Sequence, residues 1–511
     1  MASGRRVTRA VTAVAACATL GLAAVPAQAA PPQGVPAGGP ALVRQLVRAV
    51  DVEGVHRHLR AFQRIADSNG GTRASGTPGY AASVDYVAGK LRDAGFDVTL
   101  QHFTFPYSET LAERLVVDGE QVRVIVMTHS PSTPVGGITA PLAVVPVDDT
   151  PGCEADDYAG LDVQGKIALI SRGACTFAEK QQVAAEAGAV AAIIYNNTEG
   201  DLHGTLGEPE AGRIPTGGIT QADGQALIAK AGAQTTVELR VLNEERTTTN
   251  VIAQTRTGRT DNVVMAGAHL DSVHEGPGIN DNGSGSAALL EVALRLGGQP
   301  KINNAVRFAW WGAEESGLLG STHYVQQLDF EQQLDIALYL NFDMVGSPNG
   351  GYFIYDGDDS DKVGAGPGPY GSAQIEKAFA DFFAARNLPT EGTDFSGRSD
   401  YGPFIAVGIP SGGLFTGAEG VKTEEQAATW GGTAGVAYDP CYHQACDHLG
   451  NIDRTMLDNN ADAMATVIAG YALSTEDVNG VPPRAKRAAL RAQTAVRTMQ
   501  ATGHTHHGVP A

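Results

Sequence analysis

Three short apolar runs in the second half of the chain each end in residues that can bind a metal ion. One run leads into His269, the next into Glu314 and Glu315, and the third into Asp343. Helical stretches separate these β-type runs, which is typical of an α/β protein whose mostly parallel central sheet has helices on both faces. Because open α/β sheets bind ligands beyond the carboxyl ends of their strands, the pattern predicts both the fold class and the place of the site.

A glycine-rich turn and a cysteine-flanked loop supply two further candidates. Asp281 lies in the turn 278–285, which leads into an apolar-periodic helix. This turn is not a phosphate-binding loop, because its acid would repel phosphate and the expected lysine is missing. His443 lies between Cys441 and Cys446. Two histidines and three carboxylates form a ligand set that suits two zinc ions.

The composition excludes several classes of function. A chain of 511 residues with 43% hydrophobic content can bury a large core, and two or three domains are expected. A net charge of −20 argues against a nucleic-acid partner, because phosphate binding needs a basic patch. Beyond the N-terminal segment no run is long and charge-poor enough to span a bilayer, so we expect a soluble protein.

The first 29 residues are typical of an export signal. Three arginines precede an apolar stretch that closes on the small-residue pattern Ala27-Gln28-Ala29. We predict a secreted, extracellular protein that is cut after Ala29. Two alternatives stay open, a twin-arginine signal at Arg5-Arg6 and a lipoprotein cleavage site at Cys17.

The rest of the chain divides into segments that differ in composition and hydrophobic pattern. After the signal peptide (1–29) we predict a linker (30–41), a first catalytic part (42–137), a small inserted β-rich domain (138–241), a second catalytic part (242–480) and a C-terminal tail (481–511). The first catalytic part opens with two amphipathic helices, within Leu42–Ala66 and Tyr80–Ala94.

Four cysteines remain after removal of the signal. An even number in an exported protein predicts disulfides, and local pairing is the economical choice, Cys153 with Cys175 and Cys441 with Cys446. Metal ligation by cysteine is the alternative, but no CxxC spacing occurs.

Several of these segments together carry a family resemblance. They are His269-Leu270-Asp271-Ser272, Asn280-Asp281-Asn282-Gly283, Trp311-Gly312-Ala313-Glu314-Glu315, Asn341-Phe342-Asp343-Met344 and Cys441-Tyr442-His443. In this order they resemble the M28 metallopeptidases, most closely the secreted actinobacterial aminopeptidases. The inserted segment resembles a protease-associated (PA) domain.

The resemblance implies a role for each residue of the set. Asp281 bridges two zinc ions, His269 and Asp343 complete one site, and Glu315 and His443 complete the other. Glu314 is then the general base, Asp271 accepts the second N–H of the His269 ring, and Tyr442 donates to the developing oxyanion.

Substrate recognition follows from the same resemblance. Glu314 and Asp343 are candidates for holding the free amino group of a peptide, and Arg398, Phe415 and Met344 match substrate-pocket segments. A pocket with an apolar wall predicts a preference for leucine-like first residues. Asp51, Asp458 and Asp462 are candidates for a structural calcium site, which some relatives have.

Other functions remain as alternatives. An aminoacyl cyclase would keep a single-metal set, and a carboxypeptidase would need a cation to hold a carboxylate, for which Arg398 is the nearby candidate. A non-catalytic binding protein would have lost ligands or the base. The intact residue set favours a two-zinc aminopeptidase that acts on peptides with a free amino end.

Overall fold

The molecule is represented by a computed structural model, which describes residues 39–207, 209–364, 366–479 and 488–489. The predicted signal peptide, most of the linker and all but two residues of the predicted C-terminal tail lie outside the described residues.

Thirteen helices and fourteen strands occur in the described part of the chain. The helices are α1 (Gly39–Ala49), α2 (Val52–Asp67), α3 (Pro78–Asp93), α4 (Phe177–Glu186), α5 (Gln221–Ile228), α6 (Gly283–Leu296), α7 (Leu319–Gln326), α8 (Phe330–Asp335), α9 (Ser372–Ala384), α10 (Gly402–Ala406), α11 (Glu424–Trp430), α12 (Arg454–Leu473) and α13 (Glu476–Asn479). The strands are β1 (Asp97–Val117), β2 (Glu120–Val122), β3 (Ile125–Val126), β4 (Ile138–Val144), β5 (Ile167–Ser171), β6 (Ala191–Tyr195), β7 (Thr216–Ile219), β8 (Gln234–Gln254), β9 (Arg259–His269), β10 (Asn304–Trp311), β11 (Ile336–Phe342), β12 (Phe353–Tyr355), β13 (Glu391–Thr393) and β14 (Ser411–Phe415).

The catalytic half is built on one sheet with the strand order β13-β12-β14-β11-β9-β10-β8-β1. Its centre is parallel, from β14 through β11 and β9 to β10, whereas β12 and β8 join antiparallel on either side. Alternate residues of the central strands enter different cores: Leu338 and Leu340 pack with α6 and α12, and Tyr339 packs with α7 and α10. Helices therefore cover both faces, which confirms the predicted α/β class.

Two 21-residue strands lead from this sheet into a second one. β1 and β8 pair antiparallel from Asp97↔Gln254 to Val117↔Thr235. Beyond them β4, β5, β6 and β7 form a small parallel sheet, to which β3 adds antiparallel. The core of the small sheet also takes in Leu115, Val117 and Val124, which precede the predicted insertion boundary at 138.

The predicted helix within Leu42–Ala66 is wrong, because the segment forms two helices. α1 ends at Ala49, and the Asp51 side chain accepts a 2.7 Å hydrogen bond from the N–H of Gly54, which caps the start of α2. Apolar spacing continues through the break, so periodicity alone does not reveal it, whereas the aspartate is a strong N-cap residue.

Both predicted disulfides are confirmed, Cys153 with Cys175 and Cys441 with Cys446. Within the described ranges, no helix combines the length and the apolar character that crossing a membrane requires.

Candidate metal centre

The three predicted strand-end residues meet at one edge of the central sheet. β10 and β11 both flank β9 in parallel, with Trp311 opposite His269 and Asn341 opposite Gly267. The residues that follow each strand therefore leave the sheet side by side. This placement is the one that the sequence pattern predicted.

Asp281 joins two groups of imidazole and carboxylate. Its Oδ1 lies 3.2 Å from Nε2 of His269, and its Oδ2 lies 3.2 Å from Nε2 of His443. Asp343 Oδ1 is 3.3 Å from the same nitrogen of His269, and Glu315 Oε2 is 3.1 Å from Nε2 of His443. The structure thus brings all five candidate ligands together, with one carboxylate between the two halves.

The turn that carries Asp281 is held by hydrogen bonds from both sides. Asp447 accepts the N–H groups of Asn280 and Asp281, at 2.8 and 3.0 Å. Asn282 caps α6 through Gly285, and its side-chain amide donates to the carbonyl of Phe342 at 2.9 Å. The turn is therefore fixed to the end of β11, directly before Asp343.

Two glycines allow this close approach. A Cβ atom on Gly278, whose φ is +58°, would lie 2.2 Å from the carbonyl oxygen of Asp281. A Cβ atom on Gly285 would lie 2.3 Å from the carbonyl oxygen of Phe342. A larger residue at Gly285 would separate the turn from the end of β11, and one at Gly278 would disrupt the turn itself.

His443 is presented by the short loop that the Cys441–Cys446 disulfide closes. The Tyr442 and His443 rings stack, with centroids 3.8 Å apart. The backbone at His443 has a φ of +56°, and the neighbours of two other site residues, Ala313 and Met344, have φ of +54° and +49°. Left-handed backbone in non-glycine residues costs roughly 1–2 kcal/mol each and is concentrated at functional sites.

The electrostatics of the centre favour a bound cation. Burial, followed by the negative charge of Asp281, raises the pKa of Glu315 to about 7. Burial also raises the pKa of Glu314 well above its usual range, and the charges of Asp400 and Asp343 add to this effect. For both histidines burial is outweighed by the neighbouring carboxylates, which raise the pKa of His443 to about 10 and that of His269 well above 6.5. A cation bound among these carboxylates would stabilise their charged forms.

The donor atoms fit zinc. The buried atoms Glu315 Oε1 and Asp343 Oδ1 have no hydrogen-bond partner among the described residues. Ligand atoms of His269, Asp281 and Glu315 lie within 4.8 Å of one another, as do those of His269, Glu314 and Asp343. Imidazole nitrogens with carboxylate oxygens are the ligands that zinc takes in hydrolytic sites.

Glu314 and Asp271 lie beside the candidate ligands. Glu314 Oε2 is 3.9 Å from Nε2 of His269, and its side chain is 9% exposed, so it reaches the cavity. The Asp271 carboxylate accepts the N–H of Glu314 at 3.3 Å and lies 3.6 Å from Nδ1 of His269. The nearer acceptor for Nδ1 is the backbone carbonyl of Asp271, at 3.2 Å. Nδ1 of His269 therefore faces two acceptors of the same residue, the main-chain carbonyl and the carboxylate of Asp271.

Two supporting residues were missed by sequence reasoning. Ser399 donates to Asp343 Oδ2 at 2.6 Å. Arg73 is fully buried, and its guanidinium donates to the carbonyls of Leu270, Pro277 and Gly278. Arg73 lies 196 residues before His269 in the sequence and belongs to no local motif, so only its contacts in the folded structure identify it.

A cavity of about 430 Å³, called here the metal-site cavity, opens over the ligands. The apolar and aromatic residues that line it are Met344, Phe353, Tyr355, Val363, Phe415 and Tyr438. Tyr442 also lines it, and burial raises the pKa of this phenol, which therefore stays protonated and can donate. The predicted pocket residues Met344 and Phe415 thus lie beside the ligands.

Arg398 is the one lysine or arginine among the described residues that line the metal-site cavity. Its Nη1 lies 2.7 Å from Oε1 of Glu419, and the side chain is largely exposed. The guanidinium is therefore already paired with a carboxylate of the protein.

The structure does not bring together the predicted calcium ligands. Asp51 caps α2, and Asp462 Oδ2 forms an ion pair with Arg386 at 2.7 Å. Asp51, Asp458 and Asp462 are not among the described groups whose ligand atoms lie within 4.8 Å of one another. Arg386 supplies the positive charge at Asp462 that the calcium interpretation assigned to a metal ion.

Comparisons with known proteins give matches over most of the chain. The profile of peptidase family M28 matches residues 250–468, and the PA-domain profile matches residues 138–227, inside the predicted insertion. A Mycobacterium tuberculosis protein described as a probable lipoprotein aminopeptidase, LpqL, is 49% identical over 442 residues, which cover 86% of this chain and 88% of that protein. A probable leucine aminopeptidase 2 of Aspergillus fumigatus is 47% identical over 85% of this chain and 86% of its own length. Among solved structures, a zinc aminopeptidase from Bacillus subtilis is 28% identical with a TM-score of 0.60, and the match covers 82% of this chain and 94% of that one.

Proposed function

The chain belongs to peptidase family M28 and is a metalloaminopeptidase, and from that premise we propose that it is exported, uses two zinc ions and prefers large hydrophobic first residues. The observation that supports the two-ion proposal best is the position of Asp281, whose two oxygens each lie 3.2 Å from a different histidine. In this proposal His269 and Asp343 hold one ion, Glu315 and His443 hold the other, and Asp281 serves both. When bound, the ions would polarise the scissile carbonyl and make water a stronger acid.

Proton transfer is assigned to Glu314. Its carboxylate would take a proton from the attacking water and pass it to the leaving amine. Burial favours its protonated form, and a nearby cation would restore its basicity, so the residue can act in both steps. Tyr442, a protonated phenol on the cavity wall, would donate to the oxyanion.

Recognition of the amino end follows from charge. Besides the candidate ligands, the acidic residues that line the metal-site cavity are Glu314, Asp394 and Glu419. A free ammonium group suits such a lining, whereas a substrate carboxylate would need a cation. Because Arg398 is already paired with Glu419, the carboxypeptidase alternative is disfavoured. The aromatic wall supports leucine-like first residues over charged ones.

Hydrolysis of leucine p-nitroanilide by the purified protein tests the activity. We expect zinc to restore turnover after removal by a chelator, and Glu314→Gln to lower kcat by about 10²–10⁴-fold. Glu186→Gln, an exposed glutamate of α4, is the matched control. Activity that survives both chelation and Glu314→Gln would refute the mechanism.

A pair of peptides tests the requirement for a free amino end. The same leucine-initiated peptide is offered with its amino end free and acetylated, and we expect cleavage of the free form alone. Equal cleavage of both would identify an endopeptidase or carboxypeptidase.

Export is proposed from the N-terminal residues, which lie outside the described part of the chain. Mass spectrometry of the mature protein distinguishes cleavage after Ala29 from lipid modification at Cys17. A first residue of Ala30 supports secretion, and a lipid-modified Cys17 would support an anchored lipoprotein, as the M. tuberculosis relative is described.

A further inference from the structure

A second cavity, called here the intersheet cleft, lies between the catalytic sheet and the small sheet. It has a volume of about 840 Å³, nearly twice that of the metal-site cavity. Its walls come from β1 at 105–108, from β8 at 243–245, from the loop 271–275 and from Thr128 and His129. Glu315 lines both cavities, so the intersheet cleft adjoins the metal-site cavity at this candidate ligand.

The position of the cleft suits the part of a peptide beyond the scissile bond. An exopeptidase that holds the first residue in the metal-site cavity must place the remaining chain elsewhere, and a cleft that adjoins Glu315 and Ser316 is available for it. This argument rests on the proposed aminopeptidase function. A peptide in the cleft would lie beside Thr128 and His129, which follow β3 of the small sheet.

The lining of the cleft is strongly acidic. Of the described residues that form it, five are carboxylates and none is a lysine or arginine. Asp271 and Glu315 belong to the metal centre, and Glu244 is neutralised by Arg246, whose Nε lies 2.6 Å from its Oε1. Glu245 and Glu275 are exposed, and neither has an ion-pair partner among the described residues.

The histidines of the cleft do little to offset this charge. His274 packs edge-on against the ring of Tyr107, and burial lowers its pKa, so it is neutral at pH 7. Burial is the main cause that raises the pKa of Glu113, and the charge of Glu275 adds to it against the opposing effects of Val126 N–H, Arg123 and His203. The described residues that line the intersheet cleft thus carry more negative than positive charge.

We propose that the intersheet cleft binds the downstream part of the substrate and that Glu245 and Glu275 select peptides with lysine or arginine after the scissile bond. Exposed ion pairs are individually weak, but replacing lysine by glutamate turns two attractions into two repulsions. The expected preference is about tenfold in kcat/KM.

A peptide series tests the proposal. Each peptide has leucine first, then alanines, with one lysine or one glutamate at the second, third or fourth position. We expect kcat/KM to be about tenfold higher for lysine than for glutamate at one or more positions, and the difference to fall at high ionic strength. In a Glu245→Gln/Glu275→Gln variant the difference should fall to about twofold or less. The control Glu186→Gln/Glu199→Gln removes two exposed charges that do not line the cleft and should keep the preference.

Two outcomes would overturn the proposal: equal kcat/KM for lysine and glutamate at every position, or a preference that persists in the Glu245/Glu275 variant. Calorimetric binding of the same peptides to the Glu314→Gln protein reports on the cleft without turnover. A lower Kd for the lysine peptides supports the proposal, and equal Kd values contradict it. Leucine p-nitroanilide has no residue after the scissile bond, so its turnover tests the aminopeptidase function separately.

Discussion

Replacing Arg73 by methionine should weaken the metal centre although Arg73 touches no candidate ligand. Its Nε donates to the carbonyl of Pro277 at 2.8 Å, Nη2 donates to Gly278 at 2.5 Å, and Nη1 donates to Leu270. These carbonyls lie at both ends of the segment 270–278, which separates His269 from Asp281. The cation also faces the charges of Asp271, Asp447 and Asp281.

The size of the effect follows from burial. Hydrogen bonds to a charged group contribute about 1.5–3 kcal/mol each, and removing one partner of a buried charge set costs about 3–5 kcal/mol, so the terms overlap rather than add. We expect Arg73→Met to lower the free energy of unfolding by about 4 kcal/mol. Arg73→Lys keeps the charge but cannot reach three carbonyls with the same fork, and we expect a loss of about 2 kcal/mol.

Urea unfolding of the zinc-free protein measures the stability, and competition with a chelator measures zinc affinity. Substitutions of residues that hold metal ligands in place typically lower metal affinity 10–100-fold, which is the loss expected for both variants. Arg48→Met, a substitution at an exposed arginine of α1, is the control. If Arg73→Met does not fold, Arg73→Lys decides. A loss below about 1 kcal/mol, or unchanged zinc affinity, would refute the reasoning.

Three further predictions concern the ligand loops. Replacing Cys441 and Cys446 by serine frees the His443 loop, so zinc affinity should fall about 10–100-fold, whereas the same change at Cys153 and Cys175 should leave it unchanged; chelator competition measures both. Removing the Ser399 hydroxyl, which donates to Asp343 Oδ2 at 2.6 Å, should lower kcat about tenfold in a leucine p-nitroanilide assay, and wild-type kcat would contradict this. In the zinc-free protein the pKa of His443 is raised to about 10, so its ion pairs stabilise the fold fully below its ordinary pKa and are lost as the pH rises through about 10. The urea concentration at the unfolding midpoint of the zinc-free protein should therefore decrease as the pH rises from 7 to 10. Zinc affinity should increase over the same range because zinc binding releases the proton, and a zinc affinity independent of pH would refute the assignment.

Much of the fold was predictable from local pattern. The runs that became β5, β6 and β11 are continuous apolar stretches, and all their residues are buried in the structure. Strands covered on both faces have this composition because every side chain must leave water. The break between α1 and α2 was not found, since the apolar spacing continues across it, whereas Asp51 is extended and its side chain accepts a hydrogen bond from the N–H of Gly54.

The boundaries of the inserted domain were harder to predict from the sequence. β1 and β8 each belong to two cores, and one strand of 21 residues has no local signal at the point where it passes from one sheet to the other. Leu115 packs in the core of the small sheet together with its β8 partner Val237. Partner choice is a long-range property, and it follows from pairing rather than from composition.

For the metal centre, the residue types that a two-zinc hydrolase needs were visible in the sequence, because His269, Glu314 and Asp343 directly follow apolar strands and parallel strands end at one edge. Only the tertiary structure decided how the set is held. Asp447, 166 residues further along the chain, accepts the N–H of Asp281. Arg73 donates to the carbonyl of Gly278, in the segment between His269 and Asp281. It also revealed that Arg398, a predicted pocket residue, is paired with Glu419. The candidate ligands can be recognised in the sequence because the ability to bind a metal ion is a property of each side chain. The residues that hold them in place and the ion pairs around them depend on contacts that form only when distant segments fold against each other.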